Sequence, residues 1–211
     1  DAMICGLVGT YETHLERIHT ILGRQEGVND YAALNALMTD RNGSLFIADT
    51  YVNENPTAQQ LADIAWMSVQ EVQRFGLPAK VAFLSHSSYG SSKRASARKM
   101  REARDLFVAA HPEIECDGEL PGDAALEPGI RNAYMADSTL TDSANLLICP
   151  NLDAANILYN VLKTTTSGGV TVGPILMGVA ATAYILTPAA TVRRVFNMTA
   201  LAVASAAARP R

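Results

Sequence analysis

Short apolar runs alternate with longer amphipathic ones along almost the whole chain. The short runs predict strands over Ala2–Val8, Ala33–Met38, Ser44–Ala48, Lys80–Ser85, Glu115–Gly118, Asn145–Cys149, Thr171–Leu176 and Ala183–Leu186. The longer runs predict helices over Thr10–Leu22, Thr57–Phe75, Ser96–Ala110, Asp123–Arg131, Asp153–Lys163 and Thr191–Ala207. In the second of these, Pro56-Thr57 opens the helix, Leu61, Ala65, Ser68 and Val72 make one stripe, and Gly76 ends it, with Trp66 beside the stripe as a core or interface residue. Strands separated by helices are the pattern of a mostly parallel sheet with helices on both faces. Asp40-Arg41-Asn42-Gly43 reads as a hairpin turn, because Asn-Gly tolerates positive φ. The alanine-rich tail ending Arg209-Pro210-Arg211 is expected to fray.

Composition narrows the classes. The 211 residues suffice for one large domain or two small lobes, and a net charge of -4 argues against a general nucleic-acid binder. Cys5, Cys116 and Cys149 lie far apart in apolar settings and read as reduced core thiols, which suits a cytoplasmic protein. No Cys/His spacing suggests a metal site. The most apolar stretch, Val170 to Leu186, is broken by Gly173-Pro174 and Gly178 into two buried strands, so no membrane span is expected. The chain opens without Met on a strand-like run, the expectation for a piece of a longer polypeptide.

Several segments carry candidate chemistry. The loop Ser85-His86-Ser87-Ser88-Tyr89-Gly90-Ser91-Ser92 has the hydroxyls and glycine of an anion-binding loop, or of a structural turn. Ser85, His86 and Ser87 are adjacent and so face alternate sides of a strand, which places them poorly for a nucleophile and its base. Asp117, Glu119 and Asp123 brace a strand–helix junction, with Asp123 as N-cap, or form an acid–base or Mg²⁺ pair. On the third helix Arg98/Glu102 and Arg101/Asp105 read as i,i+4 pairs on a solvated face that also bears Lys99 and Arg104, with a phosphate-binding edge as the other reading. The loop around Asn151, the Ser85–Ser92 loop and Gly173-Pro174 are expected to share a rim at the carboxyl ends of the strands. His14, His19 and His111 read as helix-surface or helix-end residues. In Leu186-Thr187-Pro188-Ala189-Ala190-Thr191-Val192-Arg193-Arg194 there is a hydroxyl and two cations but no general base, which suits holding an anion better than converting it.

Together, Asn55-Pro56-Thr57-Ala58, Val81-Ala82-Phe83-Leu84-Ser85-His86-Ser87, Asp117-Gly118-Glu119-Leu120, Pro150-Asn151-Leu152-Asp153, Gly173-Pro174-Ile175-Leu176-Met177-Gly178 and Leu186-Thr187-Pro188 resemble the phosphate acetyl/butyryltransferase family. Ser85-His86-Ser87, the run Ser96–Ala103 and the stretch Thr191–Met198 make the chain look most like the acyltransferase-like carboxy-terminal region of large bacterial NADP-dependent malic enzymes. The resemblance implies a two-lobed fold of the isocitrate/isopropylmalate dehydrogenase-like kind, with residues 1–182 in the second lobe and 183–211 returning to the first. In active members a Ser-Arg pair precedes the last helix and an Asp begins it: Arg holds phosphate, Asp takes the thiol proton, Ser steadies the intermediate. Thr187, Pro188 and Arg194 stand at those positions here, so no catalytic residue is expected. What the resemblance then implies is an acetyl-CoA effector site built from Ser85, Ser87, Tyr89, Asn151, Gly173, Thr187, Arg193 and Arg194, without metal, in a regulatory domain that supports a homo-oligomer. The parent protein would oxidise and decarboxylate malate to pyruvate with NADP and Mg or Mn. The alternative is a working transferase moving an acyl group between CoA and phosphate.

Overall fold

The computed structural model describes residues 1–39, 43–165 and 170–208, apart from the side chain of Thr39. The Asp40–Asn42 turn and the Arg209–Arg211 tail lie outside the described residues.

All eight expected strands and all six helical regions are present: β1 Ala2–Cys5, α1 Tyr11–Leu22, β2 Ala32–Thr39, β3 Gly43–Ala48, α2 Ala58–Arg74, β4 Lys80–Leu84, α3 Ala95–Ala110, β5 Glu115–Leu120, α4 Gly122–Leu126, α5 Pro128–Tyr134, β6 Leu146–Ile148, α6 Leu152–Thr165, β7 Val170–Met177, β8 Thr182–Ile185 and α7 Val192–Ala208. The single helix expected over Asp123–Arg131 is two. Pro128 has no N–H to continue the first, and it starts the second at N1. Asp123 is not its N-cap. Pro121 holds that position, and Asp123 sits in the first turn. Thr57 caps α2 reciprocally with Gln60, and Leu61, Ala65, Ser68 and Val72 are buried as their spacing predicts.

The main sheet has the order β5-β4-β6-β3-β2-β7. β5, β4, β6 and β3 are mutually parallel, and β2 runs antiparallel to both β3 and β7. Side chains alternate between two enclosed faces. Phe46, Ala48, Val81, Phe83, Leu146 and Ile148 pack in a core with α2, α3 and α7. Leu45, Ile47, Ala82, Leu84 and Leu147 pack in a second core with α4 and α6. Burial on both faces explains why these strands read as continuous apolar runs.

β1 pairs only with β8, in parallel, as a separate two-stranded sheet. β1 lies within the expected 1–182 unit, and its partner β8 begins at the boundary of that unit, at Thr182. Gly6, just after β1, allows this: a Cβ there would collide with the Leu186 carbonyl. The start of α1, which follows β1, meets the loops at the carboxyl ends of β3 and β6.

Candidate functional site

A cleft of about 380 Å³ opens at that meeting point, lined by Thr10, Tyr11 and Glu12 from the start of α1, Thr50 and Tyr51 after β3, and Asp153, Asn156 and Ile157 on α6. It lies where the loop after β3 leads to α2 on one face and the loop after β6 leads to α6 on the other, the usual place for a ligand in an open α/β sheet. A larger groove of about 850 Å³ runs along β1 and α7, but alanines and exposed strand edge dominate it.

The cleft walls are tied together from below. Buried Asp49 accepts hydrogen bonds from the backbone N–H groups of Ala33, Tyr51, Val52 and Asn53 and from Asn53 Nδ2, at 2.6–3.2 Å. Burial pushes its carboxyl up, against the bonds that favour the charged form. Asn156 Nδ2 donates to the Thr50 carbonyl at 3.2 Å and joins α6 to the loop after β3. Tyr11 and Tyr51 stack with ring centroids 4.9 Å apart. The Tyr11 hydroxyl is enclosed, has no hydrogen-bond partner among the described residues, and is driven well above its ordinary pKa, first by burial and then by Asp49.

Arg194 stands beside this wall. It is 8% exposed, its Nη2 donates to Tyr159 Oη at 3.1 Å, and its charge eases the burial-raised pKa of both Tyr51 and Tyr159. Among the described residues no carboxylate lies within ion-pair distance of it. Arg193, its neighbour, is exposed.

The eight expected effector residues divide into separate neighbourhoods. Ser85, Ser87 and Tyr89 form a braced turn at the α3–β5 side. Ser85 Oγ accepts from Ser87 N–H at 3.1 Å, fully buried Ser87 donates to Glu119 Oε1 at 2.6 Å, and Tyr89 Oη donates to Asp117 Oδ2 at 2.9 Å. His86 contacts Ser92 Oγ at 3.2 Å rather than either flanking serine. Asn151 caps α6, accepting from Ala154 N–H at 2.9 Å. Gly173 is not on the rim. It is buried inside β7, where a Cβ would lie 2.5 Å from Asn35 Oδ1. Thr187 accepts from Ala190 N–H in the turn before α7. None of the eight lines the cleft itself: Asn151 immediately precedes its Leu152 and Asp153, and Arg194 reaches its Tyr51 through charge, with Arg193 next to it in sequence.

The carboxylates after β5 brace rather than gather a metal. Glu119 is fully buried and takes Arg101 Nε at 2.9 Å, Arg101 Nη2 at 3.1 Å and Gly90 N–H at 2.9 Å. The expected Arg101/Asp105 pair is therefore replaced by Arg101–Glu119, because a buried acid offers a desolvated, bidentate partner. Arg98 and Glu102 form no ion pair among the described residues. Lys99 Nζ donates instead to Asn55 Oδ1 at 2.8 Å and the Pro150 carbonyl at 2.7 Å, linking the loops after β3 and β6. Among the described residues no group of three or more His, Cys, Asp or Glu is placed to hold a metal ion, and no helix is long and apolar enough to cross a membrane.

Sequence reasoning missed Tyr11, Tyr51 and Asn156. Each comes singly from a different segment: the β3–β6 pairing sets the loop bearing Tyr51 beside Asn156, and Tyr11, from the start of α1, stacks on Tyr51. The rule that ligands sit at strand carboxyl ends, applied to Asp49-Thr50-Tyr51 after β3, could have drawn attention to Tyr51, whereas nothing comparable marks Tyr11.

A two-sheet α/β domain with an inter-sheet cleft at its strand carboxyl ends is the class these features define. The chain belongs to the phosphate acetyl/butaryl transferase family, whose model matches residues 1–203. It is 51% identical over 210 residues to the NADP-dependent malic enzyme of Escherichia coli (strain K12), matching all of this chain but 28% of that protein, in its carboxy-terminal portion. It is 37% identical over 173 residues to the phosphate acetyltransferase of Corynebacterium glutamicum, covering 82% of this chain and 52% of that one. Among solved structures, a phosphotransacetylase from Streptococcus pyogenes superposes with a TM-score of 0.92 at 26% identity, covering 99% of this chain and 64% of that one. The EutD phosphotransacetylase from Staphylococcus aureus gives 0.87 at 27% identity, covering 98% and 63%. The chain spans little more than a quarter of the length of the malic enzyme it matches.

Proposed function

We propose that this chain is a regulatory, catalytically silent domain that binds acetyl-CoA in the cleft between its two sheets. In this reading the polypeptide is a cytoplasmic malic enzyme that oxidises and decarboxylates malate to pyruvate with NADP and Mg or Mn. Those groups are held by residues outside this chain, and this domain also supports a homo-oligomer. Binding of the effector shifts the distant catalytic domains by favouring one arrangement of the cleft over another.

One observation carries the reading. Where acyl transfer needs a proton acceptor beside the cleft, the first turn of α7 supplies Arg194, a buried cation that cannot act as a base at neutral pH. Phosphorylated ligands complement that charge. An acyl-transfer assay with acetyl phosphate and CoA, run beside calorimetric titration with acetyl-CoA, tests it. Binding without turnover is expected.

Glu12 and Asp153 favour a second reading, acyl transfer by the same cleft, since both carboxylates line it. They are exposed and belong to helix first turns, where acids are favourable for the helix alone. Turnover that Glu12→Gln or Asp153→Asn abolishes would establish the transferase and overturn the silent domain.

A further inference from the structure

Lys99 reaches from α3 to the two loops behind the cleft. Its Nζ donates to Asn55 Oδ1 at 2.8 Å, in the loop after β3, and to the Pro150 carbonyl at 2.7 Å, in the loop after β6. Both acceptors are neutral, and among the described residues no carboxylate lies within ion-pair distance of the ammonium. Burial pulls its pKa down. A half-buried cation without a counter-charge is costly, and a lysine with no task here would turn its head to water. What an ammonium offers is several donors on one atom, enough to hold acceptors from separate segments at once.

The two loops it joins carry the cleft. The loop after β3 is fixed at its start by Asp49, which gathers the backbone N–H groups of Tyr51, Val52 and Asn53. It is fixed at its end by Lys99 through Asn55, immediately before buried Pro56 and the Thr57 cap of α2. Thr50 and Tyr51, which line the cleft, lie between those anchors. The loop after β6 leads directly into α6, whose Leu152, Asp153, Asn156 and Ile157 also line it. Leu152 N–H donates to the Glu54 carbonyl at 3.1 Å, and Asn156 Nδ2 to the Thr50 carbonyl at 3.2 Å. Lys99 adds a further link between the same two segments, from outside both. Its own helix is anchored independently, because Arg101, two residues on, is held by buried Glu119.

We infer that Lys99, which does not line the cleft, is its positioning residue: the two bonds latch the loops after β3 and β6 in the arrangement that accepts the ligand. Without the latch the loops populate other arrangements, and apparent affinity falls with the fraction of molecules left in the competent one. The effect on affinity rests on the acetyl-CoA reading above; the latch itself does not.

The test joins amide hydrogen exchange, read by mass spectrometry, to calorimetric titration with acetyl-CoA, both on the full-length protein. Lys99→Met keeps the apolar stem. It should speed exchange in residues 50–56 and 149–157 and leave β4 and α2 as they were. It should also weaken acetyl-CoA about tenfold, the scale of one hydrogen bond to a charged group. Lys99→Arg, which keeps charge and donors, should recover part of both. Exposed Asn55→Ala should reproduce the Lys99→Met changes in smaller measure and add nothing in the Lys99→Met background. Unchanged loop exchange in Lys99→Met, or faster exchange spread over the whole domain, overturns the latch. So does a loss of affinity that Asn55→Ala neither reproduces nor leaves masked, since Lys99 would then touch the ligand itself. Should acetyl-CoA fail to bind the native protein while loop exchange rises in Lys99→Met, the acetyl-CoA reading fails and the latch stands.

Discussion

Arg101 Nε approaches Glu119 Oε2 at 2.9 Å, and Glu119 is the enclosed partner: its side chain has no exposed surface, against 33% for Arg101. Burial alone would raise the Glu119 pKa. The bonds from Arg101, Ser87 and Gly90 outweigh it and hold the carboxyl down at about 2. A depressed acid stabilises the fold fully above its unfolded pKa of about 4.3, and the contribution disappears as pH falls toward 2. Native stability should therefore drop between about pH 4.5 and 2. Glu119→Gln should flatten part of that slope while lowering stability at neutral pH by about 2 kcal/mol, the scale of hydrogen bonds to a charged group. Urea unfolding at stepped pH measures both; an unchanged acid slope in Glu119→Gln would mean that other carboxylates dominate.

Gly173 separates a packing role from a binding one. Its φ is +133°, and a Cβ would sit 2.5 Å from Asn35 Oδ1 and 2.9 Å from the Leu34 carbonyl. Both atoms belong to β2, the neighbouring strand, which cannot yield as a surface chain would. Gly173→Ala should cost about 3 kcal/mol or more from backbone strain and overpacking combined. Denaturant unfolding should register the loss. Were stability intact and acetyl-CoA affinity alone reduced, Gly173 would belong to the ligand site after all.

The three thiols should differ in reactivity. Burial pushes Cys149 up to about 12 and Cys116 upward as well, while Cys5 is raised less and is only partly enclosed. Thiolate is the reactive form, so both buried cysteines are protected by chemistry as well as access. Native protein treated with Ellman's reagent should react at Cys5 only, and denatured protein at all three. Rapid native labelling of Cys149 would contradict the packing around β6.

Much of this fold was readable because both faces of the sheet are buried. Continuous apolar strands such as Val81–Leu84 and Leu146–Ile148 stand out against amphipathic helices, and Pro128 was present to mark the break that periodicity passed over. The site was less readable. Ser87 looks like a ligand hydroxyl in sequence, but its burial depends on Glu119, 32 positions away, and Arg101 completes that network from α3. Tyr11 and Tyr51 carry no local signal of a shared cleft, since the strand order that unites them is a long-range property. Arg194 was visible as a lost base, and only its burial and its contact with Tyr159 reveal an unbalanced charge.

That charge yields a prediction in which stability and binding move in opposite directions. A buried guanidinium without a carboxylate contributes little to stability, because its desolvation is offset by one hydrogen bond to Tyr159 and its stem's packing. Arg194→Met keeps the apolar stem and removes the charge from the unfavourable end of α7. Stability should change by no more than about 1 kcal/mol, and an increase is the expected sign. Acetyl-CoA affinity should fall by about tenfold or more, with a weaker dependence on salt, since a charge-assisted contact to phosphate is lost. Arg194→Lys should recover only part of it, because an ammonium cannot reproduce the guanidinium's planar fork. Thermal unfolding and calorimetry at two ionic strengths decide the matter. If Arg194→Met unfolds the protein while the affinity of the remaining native fraction is unaltered, Arg194 is a structural strut for Tyr159, and the cleft takes its phosphorylated ligand, if any, elsewhere.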